Sequence, residues 1–313
     1  MTAQKTLDVF VRDADGSFSC AYGPYSLHTA FQPIFQTGPD GSAIGGYHGL
    51  VRIERQGDGY APAEFLNTID PRDLAHVDSQ VAALHIRNAR IFAETGATIH
   101  LPRNPRHFHT LQDMKADAER LRAAADAAGI SPRRIVCELQ LRDFEDLERS
   151  GLFAGHLRRA GMLVGIDGYS GEERDIARVR AIRPTYVRFD TQWLFGFLGN
   201  TAGVALLRVV IRQFREQNIT IIASGLEDDE HVDLLERIGM PRIQGHALAR
   251  PERAPETFAD QHLQVQSPAL LHRERAEAVQ HARPAPVALP IAAGERRAPL
   301  RRAQPAFGRR GLS

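Results

Sequence analysis

The sequence predicts an α/β fold, a (β/α)₈ barrel of the TIM type, from two observations. Short apolar or β-branched segments recur along most of the chain, and segments with apolar residues at helical spacing lie between them. Eight such strand segments over about 225 residues match the strand number and size of this barrel. A doubly wound open sheet is the structural alternative. It requires a glycine-rich phosphate-binding turn after an early strand, and the sequence has none.

The eight predicted strands are runs of apolar and β-branched residues. They cover residues 29–35, 46–53, 98–101, 135–141, 163–167, 186–190, 220–225 and 243–248. The short connections between these strands and the intervening helices are typical of a parallel sheet with helices on its outside.

Six helices are predicted between or beside the strands. They cover residues 77–94, 111–128, 144–160, 172–182, 201–217 and 228–239. In the first of them, Val81, Leu84 and Ile91 recur near helical spacing, which indicates one apolar face.

The predicted domain organisation is a lead at residues 1–24, a barrel at 25–257 and a tail at 258–313. The lead is expected to form a hairpin around Asp13–Gly16 that caps the bottom of the barrel. The tail is rich in Ala, Pro and Arg and has no apolar period, so it is predicted to be disordered. Its nine Arg against four acidic residues give it a net charge of +5.

Composition excludes several classes of protein. The formal net charge of +1 argues against a globally basic nucleic-acid binder, which leaves the tail as the one candidate contact for nucleic acid. No segment reaches the roughly 20 apolar residues of a membrane helix, and the N-terminus lacks a signal-peptide pattern. Cys20 and Cys137 are too few for a disulfide framework or a cysteine zinc site. We expect a soluble, cytoplasmic protein.

Polar residues near the carboxyl ends of the predicted strands indicate a shared cavity. A barrel of this type places its active site at those ends, and polar side chains are costly to bury without partners. The residues are Gln32, His48, Arg52, His100, Glu138, Gln140, Asp167, Arg188, Asp190, Ser224, Glu227 and Gln244.

Residues 31–251 resemble the EAL domain family of cyclic di-GMP phosphodiesterases. The matching segments are FQPIF at 31–35, GYHGLVRI at 46–53, PAEFL at 62–66, TIHLPRNP at 98–105, CELQL at 137–141, IDGYSG at 166–171, YVRFD at 186–190, IIASGLED at 221–228 and IQGHALARP at 243–251. The resemblance implies a (β/α)₈ barrel with one antiparallel strand. It also implies chemistry in which two divalent metals activate a water for attack on a phosphodiester.

The chain departs from the family pattern at most metal-ligand positions. His48 stands at the glutamate of the EAL motif, and His100 stands at an asparagine. Gly168, Arg188 and Ser224 stand where the family has aspartate, lysine and glutamate.

We therefore predict a catalytically degenerate EAL-like domain with no intact catalytic set. The family-position remnants are Glu138, Asp167, Arg188, Glu227 and Gln244. No cofactor is expected, because too few oxygen ligands remain for Mg²⁺ or a Mg²⁺-like Mn²⁺ site. Two alternatives stay open: an active metal-dependent phosphodiesterase, and a transition-metal site. The second would hold Zn²⁺, Fe²⁺ or Mn²⁺ through His48, His100, Glu138 and Asp167.

The resemblance implies nucleotide contacts at Gln32, Arg52, Asp190 and Pro251. The expected function is therefore that of a cyclic di-GMP sensor or a protein-interaction regulator in bacterial signalling. The protein partner is unidentified, and a homodimer also stays open.

Overall fold

A computed structural model of the chain describes residues 9–39, 41–142 and 146–253. The β-strands in these ranges are β1 (Val11–Arg12), β2 (Phe18–Tyr22), β3 (Tyr25–Gln36), β4 (Ala43–Arg55), β5 (Asp58–Tyr60), β6 (Thr98–Arg103), β7 (Ile135–Gln140), β8 (Leu163–Tyr169), β9 (Tyr186–Phe189), β10 (Thr220–Ala223), β11 (Arg242–Ile243) and β12 (Glu252–Arg253). The α-helices are α1 (Pro62–Leu66), α2 (Leu74–Asn88), α3 (Leu111–Ala128), α4 (Leu147–Arg159), α5 (Glu173–Ile182), α6 (Thr191–Leu198), α7 (Thr201–Glu216) and α8 (Asp229–Arg237).

Eight of the strands close into a barrel in the order β3, β4, β6, β7, β8, β9, β10, β11. Strand β3 runs antiparallel to both of its barrel neighbours, β4 and β11, whereas the other neighbours in this ring pair in parallel. The predicted (β/α)₈ barrel, including its one antiparallel strand, is confirmed.

The last barrel strand is shorter than predicted. The sequence indicates a strand at 243–248, but β11 ends at Ile243. Beyond it the backbone bonds to the loop after β10: Leu226 N donates to Gln244 O at 3.3 Å, and Ala247 N donates to Leu226 O at 3.1 Å. The apolar residues that follow Ile243 therefore pack in a turn and not in a strand.

Most helices match their predicted ranges, and the clearest match is α3. Thr110 and Asp113 form a reciprocal capping box at its start, and Gly129 ends it with a positive φ of 69°. Helix α6 was not predicted, because its sequence TQWLFGFL is an apolar run without polar residues at helical spacing. Its N-cap is Asp190, which the sequence assigns to the end of a strand.

The predicted N-terminal hairpin is present, but it does not cap the bottom of the barrel as predicted. It lies at the opposite end of the barrel. Gly16 N donates to Asp13 O at 3.0 Å in the turn between β1 and β2. Strand β2 pairs with the start of β3, which pairs in turn with the end of β4. Because β4 runs parallel to β6, this is the end at which the parallel strands finish.

Some of the predictions concern residues outside the described ranges. The predicted tail at 258–313 and the first eight residues lie outside the described residues, so the domain boundaries stay predictions. In the described ranges, no helix combines the length and apolar character needed to cross a bilayer.

Candidate functional site

The barrel interior is built in layers, because inward-facing side chains on a strand are two residues apart. The lower layer is apolar and consists of Ile34, Val136, Tyr186 and Ile222. Two residues further toward the site, three of these strands present Gln32, Glu138 and Arg188, and Ser224 directly follows the fourth, β10. The change from an apolar to a polar layer marks the floor of the candidate site.

The centre of the polar layer is an ion pair between Arg188 and Glu138, both almost fully buried. Arg188 Nε donates to Glu138 Oε2 at 2.9 Å, and Arg188 Nη2 donates to Glu138 Oε1 at 3.1 Å. The remaining terminal nitrogen, Nη1, donates to Gln244 Oε1 at 2.7 Å. Between these strands β8 contributes Gly165, where a Cβ would lie 3.2 Å from Glu138 Cγ. The glycine therefore makes room for the pair.

His100 completes the contacts of the carboxylate. Its Nδ1 lies 2.7 Å from Glu138 Oε1, and its Nε2 lies 2.9 Å from Thr98 Oγ1. Burial is the largest single effect and raises the pKa of Glu138, but the charge of Arg188 and the contact with His100 together outweigh it, so the pKa falls well below its usual range. Burial lowers the pKa of His100, although the bond to Glu138 opposes the shift. Both oxygens of Glu138 thus have hydrogen-bond partners.

A chain of amides extends the cluster toward β3 and β4. Gln244 Nε2 donates to Gln32 Oε1 at 2.7 Å and lies 3.3 Å from His48 Nδ1. Gln32 Nε2 donates to Ala249 O at 3.0 Å. Burial lowers the pKa of His48 to about 3, and its buried Nε2 has no hydrogen-bond partner among the described residues.

Above this layer a cavity of about 390 Å³ opens at the carboxyl ends of the strands. It is lined by Asn104, Arg106, Gln140, Arg142, Asp167, Gly168, Phe189, Asp190, Thr191 and Ser224. Arg142 and Asp190 form an ion pair in the wall, and Asp190 Oδ1 also accepts from Trp193 N at 2.9 Å as the N-cap of α6. The cavity therefore carries positive and negative groups together.

The structure brings most of the predicted site residues into one network. Gln32, His48, His100, Glu138, Arg188 and Gln244 are linked by the contacts above. Asp167 joins this network to the cavity, because its Oδ1 lies 3.9 Å from Arg188 Nε. Burial raises the pKa of Asp167, and the Arg188 charge opposes that rise.

Six predicted residues lie outside that network. Arg52 and Glu227 are exposed, and Pro251 directly precedes β12. The other three lie in the cavity wall: Gln140, Asp190 and Ser224. The residues predicted to contact the nucleotide therefore lie in different parts of the structure: Gln32 belongs to the network, Asp190 lines the cavity, and Arg52 is exposed.

Arg106 and Arg142 were not predicted as site residues from the sequence, although they supply the positive charge of the cavity wall. A signal was present for Arg142, which directly follows the predicted strand at 135–141. Residues immediately after a barrel strand belong to the loops that form such sites.

The residues present do not fit a divalent metal. Arg188 donates to both oxygens of Glu138, and His100 Nδ1 contacts one of the same oxygens. In the part of the chain that the structure describes, no three His, Cys, Asp or Glu side chains are arranged to hold a metal ion. The predicted set of His48, His100, Glu138 and Asp167 is not found as such an arrangement among the described residues. Whether these four residues bind a metal stays a prediction, which metal analysis of the purified protein tests.

Comparison with known proteins gives one family match and distant relatives. A model of the EAL domain family matches residues 24–251. The probable cyclic di-GMP phosphodiesterase PdeA of Escherichia coli is 20% identical over 124 residues, which are 39% of this chain and 17% of that protein. The probable cyclic di-GMP phosphodiesterase PdeI of the same organism is 25% identical over 149 residues, 47% of this chain and 18% of that protein. The chain spans less than a fifth of these relatives.

Solved structures share the fold at low identity. The FimX EAL domain from Pseudomonas aeruginosa bound to c-di-GMP has a TM-score of 0.61 at 22% identity, covering 73% of this chain and 91% of that chain. The PaMucR phosphodiesterase in complex with c-di-GMP has a TM-score of 0.60 at 19% identity, covering 74% and 94%. A Klebsiella pneumoniae BlrP1 complex with manganese and c-di-GMP has a TM-score of 0.60 at 21% identity, covering 73% and 56%.

Proposed function

The chain belongs to the EAL domain family, and we propose that it is a member that binds cyclic di-GMP without hydrolysing it. The bound state would then act on a protein partner in bacterial signalling. The observation that carries this proposal is the bidentate ion pair between Arg188 and Glu138 in the barrel floor.

The ion pair conflicts with metal-dependent hydrolysis. Metal-assisted attack on a phosphodiester needs carboxylate oxygens that are free to hold divalent cations. A guanidinium has only donors and keeps its proton, so Arg188 can act neither as a ligand nor as a base. The positive charge of Arg188 neutralises the Glu138 carboxylate, so this carboxylate no longer attracts a metal cation.

Two further positions lack the oxygens that the family pattern supplies. Gly168 has a positive φ of 81°, at an irregularity in the register between β8 and β9. A Cβ there would meet no atom within 4 Å, so space exists but no ligand fills it. At Ser224 the backbone carbonyl accepts from Thr191 Oγ1 at 3.3 Å, and a short hydroxyl replaces a carboxylate.

The cavity supports retention of nucleotide binding. Its volume of about 390 Å³ lies within the usual range of small-molecule sites. Arg106 and Arg142 line it, and guanidinium groups match the geometry of phosphate oxygens. Asn104 and Gln140 add amide donors and acceptors of the kind that recognise base edges.

Hydrolysis is tested by incubating the protein with cyclic di-GMP and either Mg²⁺ or Mn²⁺ and searching for the linear dinucleotide by chromatography. We expect no product above that of the Glu138→Gln variant assayed in parallel. Product that forms with the original protein and disappears in this variant would show an active phosphodiesterase and overturn the proposal.

Binding is tested by calorimetric titration with cyclic di-GMP. We expect saturable heat that is the same with and without a chelator, because the described residues hold no metal-ligand set. Absence of heat together with an unchanged melting temperature would refute nucleotide binding and leave the protein-interaction function.

A further inference from the structure

The wall of the cavity contains an ion pair that spans β8. Arg142 follows β7, and Asp190 follows β9, so the two side chains meet over the strand between them. The Arg142 side chain is 66% exposed, whereas that of Asp190 is only 14% exposed. The arginine is therefore the partner that solvent or a ligand can reach.

The two oxygens of Asp190 have different roles. Oδ1 accepts from Trp193 N at 2.9 Å and caps helix α6, whereas Oδ2 contacts Arg142 Nη2. Loss of the contact with Arg142 leaves the cap in place. Because the arginine of this ion pair is largely exposed and solvent screens its charge, the pair contributes little free energy, and a better anion can displace the carboxylate at small cost.

The surroundings favour an anion at this place. Arg106 lines the same cavity, and Thr191, the first residue of α6, lines it beside the capped end of the helix. The positive end of a helix dipole attracts negative charge, and two guanidiniums can share the oxygens of one phosphate.

We propose that a phosphodiester group of cyclic di-GMP takes the place of the Asp190 carboxylate on Arg142, with Arg106 as the second cation. The inference rests on the nucleotide binding proposed above. Asp190 is then a competitor of the ligand and not one of its contacts, which is the reverse of the role implied by family resemblance.

The direction in which one substitution changes the affinity for cyclic di-GMP distinguishes these two roles. In Asp190→Asn the amide oxygen can still cap α6, but the charge that competes for Arg142 is removed. We expect Asp190→Asn to bind cyclic di-GMP about two- to fivefold more tightly, the range that a partly exposed ion pair gives. If Asp190 contacts the nucleotide, the same variant binds more weakly.

The complementary variant removes the cation. Arg142→Gln is expected to weaken binding about tenfold, as expected for a lost charge-assisted hydrogen bond. The matched control is Arg72→Gln, because Arg72 is an exposed arginine that pairs with Asp70 outside the cavity lining. Its affinity should equal that of the unmodified protein, and the melting temperature of each variant verifies folding.

Three outcomes decide the matter in calorimetric titrations of the full chain. Tighter binding by Asp190→Asn with weaker binding by Arg142→Gln supports the inference. Binding by the unmodified protein that is unchanged in Arg142→Gln, or weakened in Asp190→Asn, overturns the inference alone. Absence of binding by the unmodified protein overturns the proposed function and the inference with it.

Discussion

Arg188 on β9 and Glu138 on β7 lie 50 residues apart in sequence and form a two-point ion pair across the glycine of the strand between them. In the barrel floor, the guanidinium of Arg188 supplies the positive charge that balances the buried carboxylate of Glu138. Burying two charges costs solvation free energy, which the mutual attraction and the hydrogen bonds to Gln244 and His100 offset. Two predictions depend on this ion pair, and two others depend on His85, which is buried on α2.

The first prediction concerns the stability of the ion pair. Glu138→Gln leaves the buried guanidinium of Arg188 without its counter-charge, so we expect the free energy of unfolding to fall by about 3–5 kcal/mol. Urea unfolding followed by circular dichroism measures it. The double variant Glu138→Leu/Arg188→Met should lose less than Glu138→Gln alone, because it removes both charges.

Glu119→Gln is the control for this measurement, since Glu119 makes an exposed pair with Lys115 on α3. We expect that variant to stay within about 0.5 kcal/mol of the unmodified protein. A Glu138→Gln variant as stable as the Glu119→Gln control would show that the ion pair is not a structural element.

The second prediction concerns metal removal. Because Arg188 engages both oxygens of Glu138, we expect the purified protein to carry no stoichiometric Zn²⁺, Fe²⁺ or Mn²⁺. Its melting temperature should be the same before and after treatment with a chelator. Stoichiometric metal in elemental analysis, lost together with several degrees of melting temperature on chelation, would instead support the site of His48, His100, Glu138 and Asp167.

The third prediction concerns Gly49, which stands at the alanine of the family's EAL motif. A Cβ at Gly49 would lie 3.0 Å from both Cγ and Cδ2 of His85, which is buried on α2. Gly→Ala commonly stabilises a compatible site by about 0.4–1 kcal/mol, but overpacking costs about 1–3 kcal/mol. We therefore expect Gly49→Ala to lower the free energy of unfolding.

A double-mutant cycle isolates the cause. In the background of His85→Ala the imidazole is gone, so Gly49→Ala should cost markedly less than in the unmodified protein. An equal cost in both backgrounds would refute the steric explanation.

The fourth prediction concerns acid sensitivity. Burial, assisted by the charge of Arg103, lowers the pKa of His85 from 6.5 to about 3. Below pH 6.5 the unfolded chain therefore binds a proton that the folded protein excludes, so stability falls as the pH drops from 6.5 toward 3. The slope from this group approaches about 1.4 kcal/mol per pH unit.

His85→Gln tests this origin, because an amide can still bond to Thr29, whose Oγ1 lies 2.9 Å from His85 Nδ1. Unfolding free energies between pH 7 and 5 should depend less steeply on pH in this variant. His109→Gln, at an exposed position, serves as the control. Identical slopes in all three proteins would exclude His85 as the cause.

Local patterns in the sequence were sufficient for most of the fold. Apolar and β-branched runs identified the eight barrel strands, and the predicted helix at 111–128 matches the bounds of α3. Helix α6 and the early end of β11 were missed. In α6 an apolar run carries no period, and at β11 the backbone bonds to a distant loop at Leu226.

The sequence by itself determined the family, the barrel and the identities that depart from the family pattern, among them His48, Gly168 and Arg188. Only the tertiary structure decided how these residues are used. It placed Arg188 on Glu138, put Arg142 and Asp190 in one cavity wall and left Arg52 exposed. The physical reason is that side-chain partners come from different strands, tens of residues apart. Their contacts depend on strand register and on the space left by glycines, which no local pattern encodes.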